Sequence, residues 1–479
     1  MLTNRQRFIK NLSFLYLSNL ISGLFTLSVN IILIKRLGPF VYGDFVFALT
    51  FVGYFALIAD SGLSPYGEAY ISKNRQEAGK IIGDVISFNL ALSLFSIILM
   101  LLLTLFVFRF DKIQKAMLIL ISVLPLINTV SFGWAIKGIE KNEIFSVSAF
   151  IGKSIYLAMV LLLVLDRNNY ILAVISFLTG VFLTAAIQFG YIKKYIGKFK
   201  FNFTAENFKH LAVNAMPFGI VSGLIILYAS FPVIFLKILA SNKDVGLYYV
   251  TNRLVVFVFV LFSLMIGGFI PVLADFVKRK DAVGQSRIIS ELLRFSYTFS
   301  IPLCFGGFVI SKKLIAGLFG GGFLISVELL RIMVWGIFFV SLSSIFFGFL
   351  TAVNDRKSLI ISASITTVAG MVVSLLLIEK YGIYGGAVSS LFVEAVMFGA
   401  LCLAALKYIK INFNIVNFLK VFTASIIMAY IVCLINFGLV LSIIFGTVIY
   451  GALSLIFKIL TKDDILELKN IAFKKTGGA

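Results

Sequence analysis

The sequence predicts an all-α integral membrane protein with about 14 transmembrane helices. Of the 479 residues, 60% are hydrophobic and 13% are charged, and the mean hydropathy is +1.06. Soluble domains carry about twice that share of charged residues. Apolar runs of spanning length also recur between short basic loops. A helix of about 20 apolar residues crosses the bilayer core and satisfies its own backbone hydrogen bonds.

Each predicted span is an apolar run that ends at a basic, polar or glycine-containing loop. Six runs in the first part of the chain lie near residues 12–34, 45–71, 81–108, 116–136, 144–165 and 170–192. After a basic stretch at 193–210, further runs lie near residues 211–236, 246–274, 295–311, 329–353, 358–378, 383–406, 416–437 and 439–457. Runs of this length and composition are typical of transmembrane helices.

An internal repeat predicts that the spans form two lobes. The segment 21–24 (ISGL) in the first span matches 221–224 (VSGL) in the seventh, and a turn with a glycine and a tyrosine follows each. Repeats six spans apart have the same orientation and predict pseudo-symmetric halves. We therefore expect a first six-helix lobe at 1–205, a second at 206–406, and two C-terminal helices with a basic cytoplasmic tail at 407–479.

The charge distribution predicts the orientation. Lys and Arg outnumber Asp and Glu by 42 to 21, and they concentrate in alternate loops, including the N-terminal segment. Cytoplasmic loops carry such an excess, so both termini are expected in the cytoplasm. Because these cations lie in loops between apolar runs, and not on one face of a soluble domain, we expect no nucleic acid as a partner.

Neither a metal site nor a catalytic motif is recognisable. The three cysteines, Cys304, Cys402 and Cys433, lie in apolar stretches without ligand spacing, and His210 is the only histidine. The sequence also lacks a phosphate-binding loop and the HExxH motif. We expect no metal, no cofactor and no enzymatic activity.

A polar stripe marks the first span. Asn19, Ser22, Thr26 and Asn30 are spaced by three or four residues and share one helical face. The seventh span repeats this pattern more weakly with Asn214. Two interpretations stay open, hydrogen bonding between helices and the wall of a polar cleft, and Asn19 and Asn214 are candidate binding residues under the second.

Cationic side chains inside spans are candidates for binding an anion. Lys153 lies near the middle of its span and Arg253 within the outer part of another. Together they would suit phosphate, pyrophosphate or an acidic sugar. Arg331, near a span end, is a further candidate, although snorkelling to the interface would also explain it. For Lys153 the alternative is a buried ion pair.

Acidic side chains inside spans are candidates for ion coupling. Asp60 and Glu394 lie near the middle of their spans, and Glu68 lies near the inner end of the second. Ionisable groups at such depth commonly mark ion or substrate pathways. The alternatives are ion pairs that fix helix packing for Asp60 and Glu394, and snorkelling for Glu68.

Several passages resemble polysaccharide flippases of the Wzx type, which transport O-antigen and other repeat units. They are 36–39 (RLGP) with 42–43 (YG) and 60–63 (DSGL), 354–357 (NDRK) with 380–387 (KYGIYGGA), and 318–320 (LFG) with 329–331 (LLR). The same superfamily holds multidrug and toxin extrusion antiporters and lipid II flippases. The resemblance covers about residues 10–410, and its motifs are mainly structural.

The resemblance implies a transporter of the bacterial inner (plasma) membrane. Such flippases move an undecaprenyl-pyrophosphate-linked oligosaccharide from the inner to the outer leaflet by alternating access, for O-antigen, capsule or similar polysaccharides. The implied partners are that lipid-linked sugar, the bilayer, H⁺ or Na⁺ as a coupling ion, and a polysaccharide polymerase. A lipid II flippase and a cation-coupled multidrug antiporter are the alternatives. A membrane glycosyltransferase or polymerase is disfavoured because no long out-facing loop is predicted.

Overall fold

The chain folds mainly into helices over the residues that the computed structural model describes. The backbone is described for residues 4–459 except 109, 198, 268 and 436, and the side chains from residue 20 onward with additional gaps at 263–268, 270, 271 and 321. Helices are expected here because a lone segment in lipid can pair all of its backbone polar groups only as a helix.

The helices described are α1 (Asn4–Asp60), α2 (Leu63–Lys73), α3 (Ala78–Leu102), α4 (Lys112–Ile121), α5 (Leu124–Thr129), α6 (Gly133–Gly138), α7 (Asn142–Leu163), α8 (Tyr170–Ile196), α9 (Ala205–Leu239), α10 (Asn242–Gly267), α11 (Ile270–Lys278), α12 (Ala282–Phe319), α13 (Ile325–Met333), α14 (Gly336–Ala352), α15 (Arg356–Tyr381), α16 (Ile383–Ala405), α17 (Ile415–Leu434) and α18 (Leu439–Ile456). Single helical turns at Arg75–Glu77, Leu103–Val107, Arg167–Asn169 and Gly321–Phe323 join some of them.

The predicted fold class is confirmed. In the described part of the chain, 13 helical stretches are long and apolar enough to cross a membrane. The first, Leu20–Asp60, has 41 residues and would be about 60 Å long if straight, which is twice the hydrocarbon thickness. A kink at Gly38 divides it into two segments, so the prediction of about 14 spans agrees with the structure.

Three predicted segments differ from the helices that form. The run at 116–136 is divided into α4, α5 and α6, and the run at 45–71 is interrupted between Asp60 and Leu63. Helix α12 begins at Ala282, so most of the stretch 275–294, which separates the predicted spans 246–274 and 295–311, is helical. Hydropathy misplaces these boundaries because polar side chains occur within helices and chain breaks occur within apolar runs.

The chain divides into two compact units, Met1–Val250 and Thr251–Ala479. The first holds α1–α9 and the start of α10, and the second holds the rest of α10 and α11–α18. The lobes expected from the internal repeat, 1–205, 206–406 and 407–479, stay a prediction.

Candidate functional site

The kink in α1 is held by a neighbouring arginine. Gly38 has φ 72° and ψ 163°, and Pro39 follows it. Proline disfavours a helical residue before it, and glycine adopts positive φ without steric cost. Two residues earlier, Arg36 donates from Nη1 to three carbonyl groups at the end of α7, each at 2.8 Å: Val160, Leu161 and Val164. The last carbonyls of a helix lack intrahelical partners, so Arg36 caps α7 and ties it to α1.

Lys153 lies on the same helix and reaches the polar stripe of α1. Its Nζ is 3.3 Å from the carbonyl oxygen of Ser22 and 3.4 Å from Oγ1 of Thr26. On the adjacent residue, Gly152, a Cβ would lie 1.9 Å from Oγ1 of Thr184, so α7 and α8 approach closely there. Two features predicted separately, the cation and the stripe, therefore lie together in the first unit.

Most of the described stripe is occupied by hydrogen bonds. Thr26 donates to the carbonyl of Ser22 at 2.8 Å, and Asn30 donates to that of Thr26 at 2.7 Å. Tyr42 donates to Oδ1 of Asn30 at 2.7 Å in a buried contact. Hydrogen bonding thus accounts for Asn30, whereas Ser22 and Thr26 also accept from Lys153. Asn19 lies outside the side chains that the structure describes.

A cavity of about 480 Å³ lies among α1, α2, α3, α5, α6, α7 and α9 in the first unit. It is lined by two of the predicted acidic residues, Asp60 and Glu68, and by Lys137, Asn89 and Asn128. Two carboxylates, an ammonium and two amides thus surround one space. This arrangement can hold a polar ligand or exchange a cation inside an apolar helix bundle.

A backbone break positions Asp60 at the cavity. Ser61 and Gly62 have φ values of 42° and 85°, which end α1 and redirect the chain into α2. Oδ1 of Asp60 then accepts from the backbone N–H of Ser64 at 3.1 Å and also from its hydroxyl. On Gly62, a Cβ would lie 2.3 Å from the backbone N of Gly219 on α9. The close contact therefore requires glycine, and the carboxylate caps the start of α2.

Lys137 lies in the last turn of the short helix α6. Its Nζ is 4.2 Å from the ring centroid of Phe145, and its positive charge acts on Glu68. A lysine in a polar cavity binds phosphate as a compact point charge and also neutralises a nearby carboxylate. Lys137 therefore offers the cavity either an anion-binding group or a partner for Glu68.

Behind the cavity, a buried network fixes Asn89. Its Oδ1 accepts from Oγ1 of Thr129 at 2.7 Å and from Oγ of Ser93 at 3.1 Å. Both hydroxyls also lie within hydrogen-bonding distance of the Pro125 carbonyl, at 3.1 and 3.2 Å. Satisfied polar networks of this kind rigidify the helices that carry them, so α3 and α5 hold the amide of Asn89 in place.

The first unit also contains a buried ion pair that the sequence did not predict. Nζ of Lys237 lies 3.1 Å from Oδ1 of Asp44, and the two side chains are 14% and 0% exposed. Lys237 also hydrogen-bonds to Oδ1 of Asn242. Nearby, a Cβ on Gly43 would lie 1.8 Å from the carbonyl oxygen of Asn242, and one on Gly246 would lie 2.1 Å from that of Pro39. Close backbone packing and a buried ion pair thus join the second half of α1 to the end of α9 and the start of α10.

The other predicted site residues lie elsewhere. Asn214 is exposed and donates to the carbonyl of its own helix residue His210 at 2.7 Å. Arg331, in the second unit, pairs with Glu328 at 2.7 Å. Arg253 and Glu394 are half-buried residues of the same second unit. Their assignment to substrate binding and ion coupling stays a prediction.

Glu394 has an apolar setting on α16. A Cβ on Gly336 of α14 would lie 3.9 Å from Cγ of Glu394 and 3.5 Å from the ring of Phe259 on α10. A carboxylate in such surroundings is costly to keep charged without a cation. Glu394 therefore keeps its place as a second candidate for ion coupling.

Comparisons with known proteins identify the fold and the family. Residues 8–277 match the family model described as "Polysaccharide biosynthesis protein". The structure is similar to a lipid II flippase MurJ in an inward closed conformation, with TM-score 0.79, 17% identity, 94% of this chain covered and 99% of that one. It is also similar to an inward-facing multidrug resistance MATE transporter of the MOP superfamily, with TM-score 0.66, 12% identity, and coverage of 81% and 94%.

A further similar structure is that of a point mutant of the Vibrio cholerae MATE transporter VcmN, with TM-score 0.58, 14% identity, and coverage of 83% and 96%. No curated protein matches this sequence. At these identities the structural similarities establish the fold, which is that of the predicted superfamily.

Proposed function

Because the chain belongs to the polysaccharide biosynthesis protein family, we propose that it is a flippase for undecaprenyl-pyrophosphate-linked oligosaccharide repeat units. It moves them from the inner to the outer leaflet of the bacterial plasma membrane for surface polysaccharides such as O-antigen or capsule. One observation carries the proposal: Lys137, Asn89 and Asn128 share a cavity with two carboxylates inside an apolar bundle.

The head of such a lipid is anionic at the pyrophosphate and rich in hydroxyls at the sugars. Lys137 supplies positive charge to the cavity, and Lys153 supplies it on the polar stripe of α1. Amide side chains such as Asn89 and Asn128 hydrogen-bond to sugar hydroxyls. A volume of about 480 Å³ is typical of small-molecule sites, so it accommodates part of the head while the polyprenyl tail stays in lipid.

Coupling to H⁺ or Na⁺ would act through the same cavity. Asp60 and Glu68 line it together with Lys137, and a carboxylate in a low-dielectric space is stabilised by a proton or a cation. Binding of an anionic head to Lys137 removes the charge that acts on Glu68. Ion binding at the carboxylates and head-group binding at the lysine are then linked, and Glu394 is a second candidate for this role.

Alternating access requires the ends of the helices to separate. With both termini in the cytoplasm, the Asp44–Lys237 pair and the glycine contacts beside it lie toward the outer surface. We infer that these contacts break when the cavity opens outward and form again when it opens inward. A polymerase that uses the repeat units outside would act downstream.

One observation favours a second candidate, a cation-coupled multidrug antiporter. Two carboxylates against one lysine would also suit a cationic substrate in the same cavity. The lipid II flippase is the nearest alternative among lipid-linked substrates, because it requires the same cationic recognition of pyrophosphate.

Transport in proteoliposomes tests the proposal. Vesicles contain the purified chain and an undecaprenyl-pyrophosphate oligosaccharide labelled on its sugar, and a membrane-impermeant reductant quenches the label in the outer leaflet. Vesicles with protein should show faster loss of protected label than empty vesicles, and a pH or Na⁺ gradient should change the rate. Lys137→Gln should slow transport about tenfold or more, as expected for loss of a charge-assisted hydrogen bond. Lys73→Gln, an exposed lysine on α2, is the charge-matched control.

The outcomes separate the candidates. Movement of lipid II but not of the oligosaccharide lipid would identify the lipid II flippase instead. Uptake or efflux of a cationic dye with no lipid movement would identify the antiporter. Equal rates for Lys137→Gln and Lys73→Gln would show that this cavity does not bind the head group.

A further inference from the structure

Helix α2 has a cavity on each of two opposite faces. Its residues Ser64 and Glu68 line the cavity that also contains Lys137, which is the cavity of the proposed flippase site. Tyr66 and Tyr70 line a second cavity of about 290 Å³ in the same unit. Residues two positions apart on a helix are about 200° apart around its axis, so α2 forms a wall between the two cavities. The second cavity is completed by the start of α3, the residues before α9 and the first turns of α9.

Hydrogen bonds hold the segment before α9 against α3. The backbone N–H of Asn202 donates to Oγ of Ser87 at 2.8 Å, and Nδ2 of Asn202 donates to Oδ1 of Asp84 at 2.9 Å. The buried side chain of Asn207 donates from Nδ2 to the carbonyl of Asn202 at 2.9 Å. Satisfied polar networks rigidify the elements that carry them, so this wall of the second cavity is preformed.

The wall on α2 carries two aromatic rings. The ring centroids of Tyr66 and Tyr70 are 6.1 Å apart with an interplanar angle of 47°, and both side chains are half-buried. The hydroxyl of Tyr70 donates to Oε2 of Glu77 at 2.5 Å, which fixes this ring at the cavity. A sugar has faces of C–H bonds and an edge of hydroxyl groups. Apolar ring faces beside carboxylate and amide groups therefore suit a sugar.

The charged groups of the second cavity favour some sugars over others. The lining residues with ionisable acidic or basic side chains are Glu77, Lys80, Asp84, Glu206 and His210. Within the part of the chain that the structure describes, the exposed carboxylate of Glu206 has no hydrogen-bond or ion-pair partner, so it is available to a ligand. A uronic acid would bring a further carboxylate to three others, and such like charges oppose binding. Neutral and amino sugars bring hydroxyl and amine donors to the same oxygens.

We propose that the second cavity binds a neutral or amino sugar of the transported oligosaccharide through the rings of Tyr66 and Tyr70 and the carboxylate of Glu206. Its volume is near the lower limit of small-molecule sites, so it receives about one sugar ring and not a whole repeat unit. With both termini in the cytoplasm, α9 begins at the inner surface, where repeat units arrive. The source of the sugar rests on the proposed flippase function, and the second cavity gives that function a site that distinguishes repeat units by their sugars.

Saturation-transfer NMR of the full-length protein in detergent micelles tests sugar binding with two soluble probes, the trisaccharides of N-acetylglucosamine and of galacturonic acid. The N-acetylglucosamine probe should bind more tightly. Tyr66→Ala should weaken its binding about two- to tenfold, the equivalent of one aromatic contact, whereas Tyr66→Phe keeps the ring and should bind nearly as the wild type does. Glu206→Gln should narrow the difference between the two probes.

Tyr195→Ala is the matched control. Tyr195 is an exposed tyrosine on α8 that stacks on Tyr191 with ring centroids 5.8 Å apart, and it lies outside the second cavity. The same substitution therefore removes one ring of a neighbouring tyrosine pair that lines no part of the proposed sugar site. Binding of both probes to Tyr195→Ala should equal that of the wild type.

Transport of two lipids identifies the source of the sugar. In the proteoliposome assay, undecaprenyl pyrophosphate carries either a single sugar or an oligosaccharide. Tyr66→Ala should raise the half-saturating concentration of the oligosaccharide lipid. It should leave that of the single-sugar lipid unchanged, because this sugar stays beside the pyrophosphate on the other face of α2. Lys137→Gln should slow the transport of both lipids.

The possible failures have separate meanings. Absence of binding of the N-acetylglucosamine probe, equal binding of the two probes, or equal losses in Tyr66→Ala and Tyr195→Ala would overturn the proposed sugar site. Equal changes for both lipids in Tyr66→Ala would show that the second cavity does not recognise the oligosaccharide, and would overturn the proposal as well. Absence of lipid movement in the wild type would refute the flippase function alone, because the NMR experiment measures sugar binding without transport.

Discussion

Neutralising Lys237 tests what the buried ion pair with Asp44 does for the first unit. Lys237→Met retains an unbranched apolar side chain and removes the ammonium group. Asp44 would then keep a carboxylate that is 0% exposed, with its Oδ1 no longer facing a cation. Among the residues that the structure describes, Oδ2 of Asp44 has no hydrogen-bond partner, so little else there compensates the charge.

The expected loss follows from burial and not from distance. Removing one partner of a buried pair costs about 3–5 kcal/mol, because the other charge stays desolvated. The Arg331–Glu328 pair is shorter, 2.7 Å against 3.1 Å, but its side chains are 34% and 52% exposed. Exposed pairs contribute about 0–1 kcal/mol. Arg331→Gln should therefore cost much less than Lys237→Met although it breaks the closer contact.

Unfolding by increasing sodium dodecyl sulfate in mixed detergent micelles gives the free energy of unfolding of each variant. These free energies are then compared with that of the wild type. Asp44→Asn combined with Lys237→Met should cost clearly less than the sum of the two single changes, because no charge is left buried. A loss in Lys237→Met no larger than in Arg331→Gln, or strict additivity in the double variant, would refute the reasoning.

Three further substitutions test other contacts of the described helices. Arg36→Gln leaves the end of α7 uncapped and should cost about 1.5–3 kcal/mol, with faster hydrogen exchange confined to the last turn of that helix. Gly62→Ala, at φ 85° and with no room for a Cβ, should destabilise by more than about 1 kcal/mol, whereas Gly53→Ala, which meets nothing within 4 Å, should stay near wild type in the same unfolding assay. Asp355→Ala removes the cap of α15 and should cost about 1 kcal/mol at neutral pH. Hydrogen bonds from Ser358 hold the pKa of Asp355 below its usual value, so this contribution is complete above the unfolded-state pKa and is lost as the pH falls through the folded-state pKa. The difference between wild type and Asp355→Ala should therefore shrink on titration to about pH 3, and a difference independent of pH would contradict the assignment.

The fold class could be predicted because the bilayer imposes one dominant requirement. Long apolar runs must form helices, and their number and approximate limits are visible in the sequence. Breaks within runs could not be predicted from hydropathy, which measures transfer into lipid and not the partners of a freed backbone group. The interruption between Asp60 and Leu63 is one example, since the backbone of Gly219 packs directly against Gly62 there.

Part of the candidate site could be predicted for the same reason. Asp60 and Glu68 are conspicuous as charges within an apolar run, and both line the cavity. Asp44, Lys137 and Lys237 were missed, and each lies one residue outside a predicted span. An apolar run ends where a charge occurs, so hydropathy assigns charges near helix ends to loops, although α1, α6 and α9 include them.

What decides the role of such a charge is its partner, and hydropathy cannot identify a partner. Asp44 and Lys237 are separated by 193 positions in the sequence and meet only because α1 and α9 pack together. Lys137 has the same residue type and the same position at a helix end, yet it lies in a cavity and beside a carboxylate that lines it. The sequence therefore indicates which groups need compensation in the membrane. Tertiary packing separates Lys237, which pairs with Asp44, from Lys137, which lines the cavity of the proposed site.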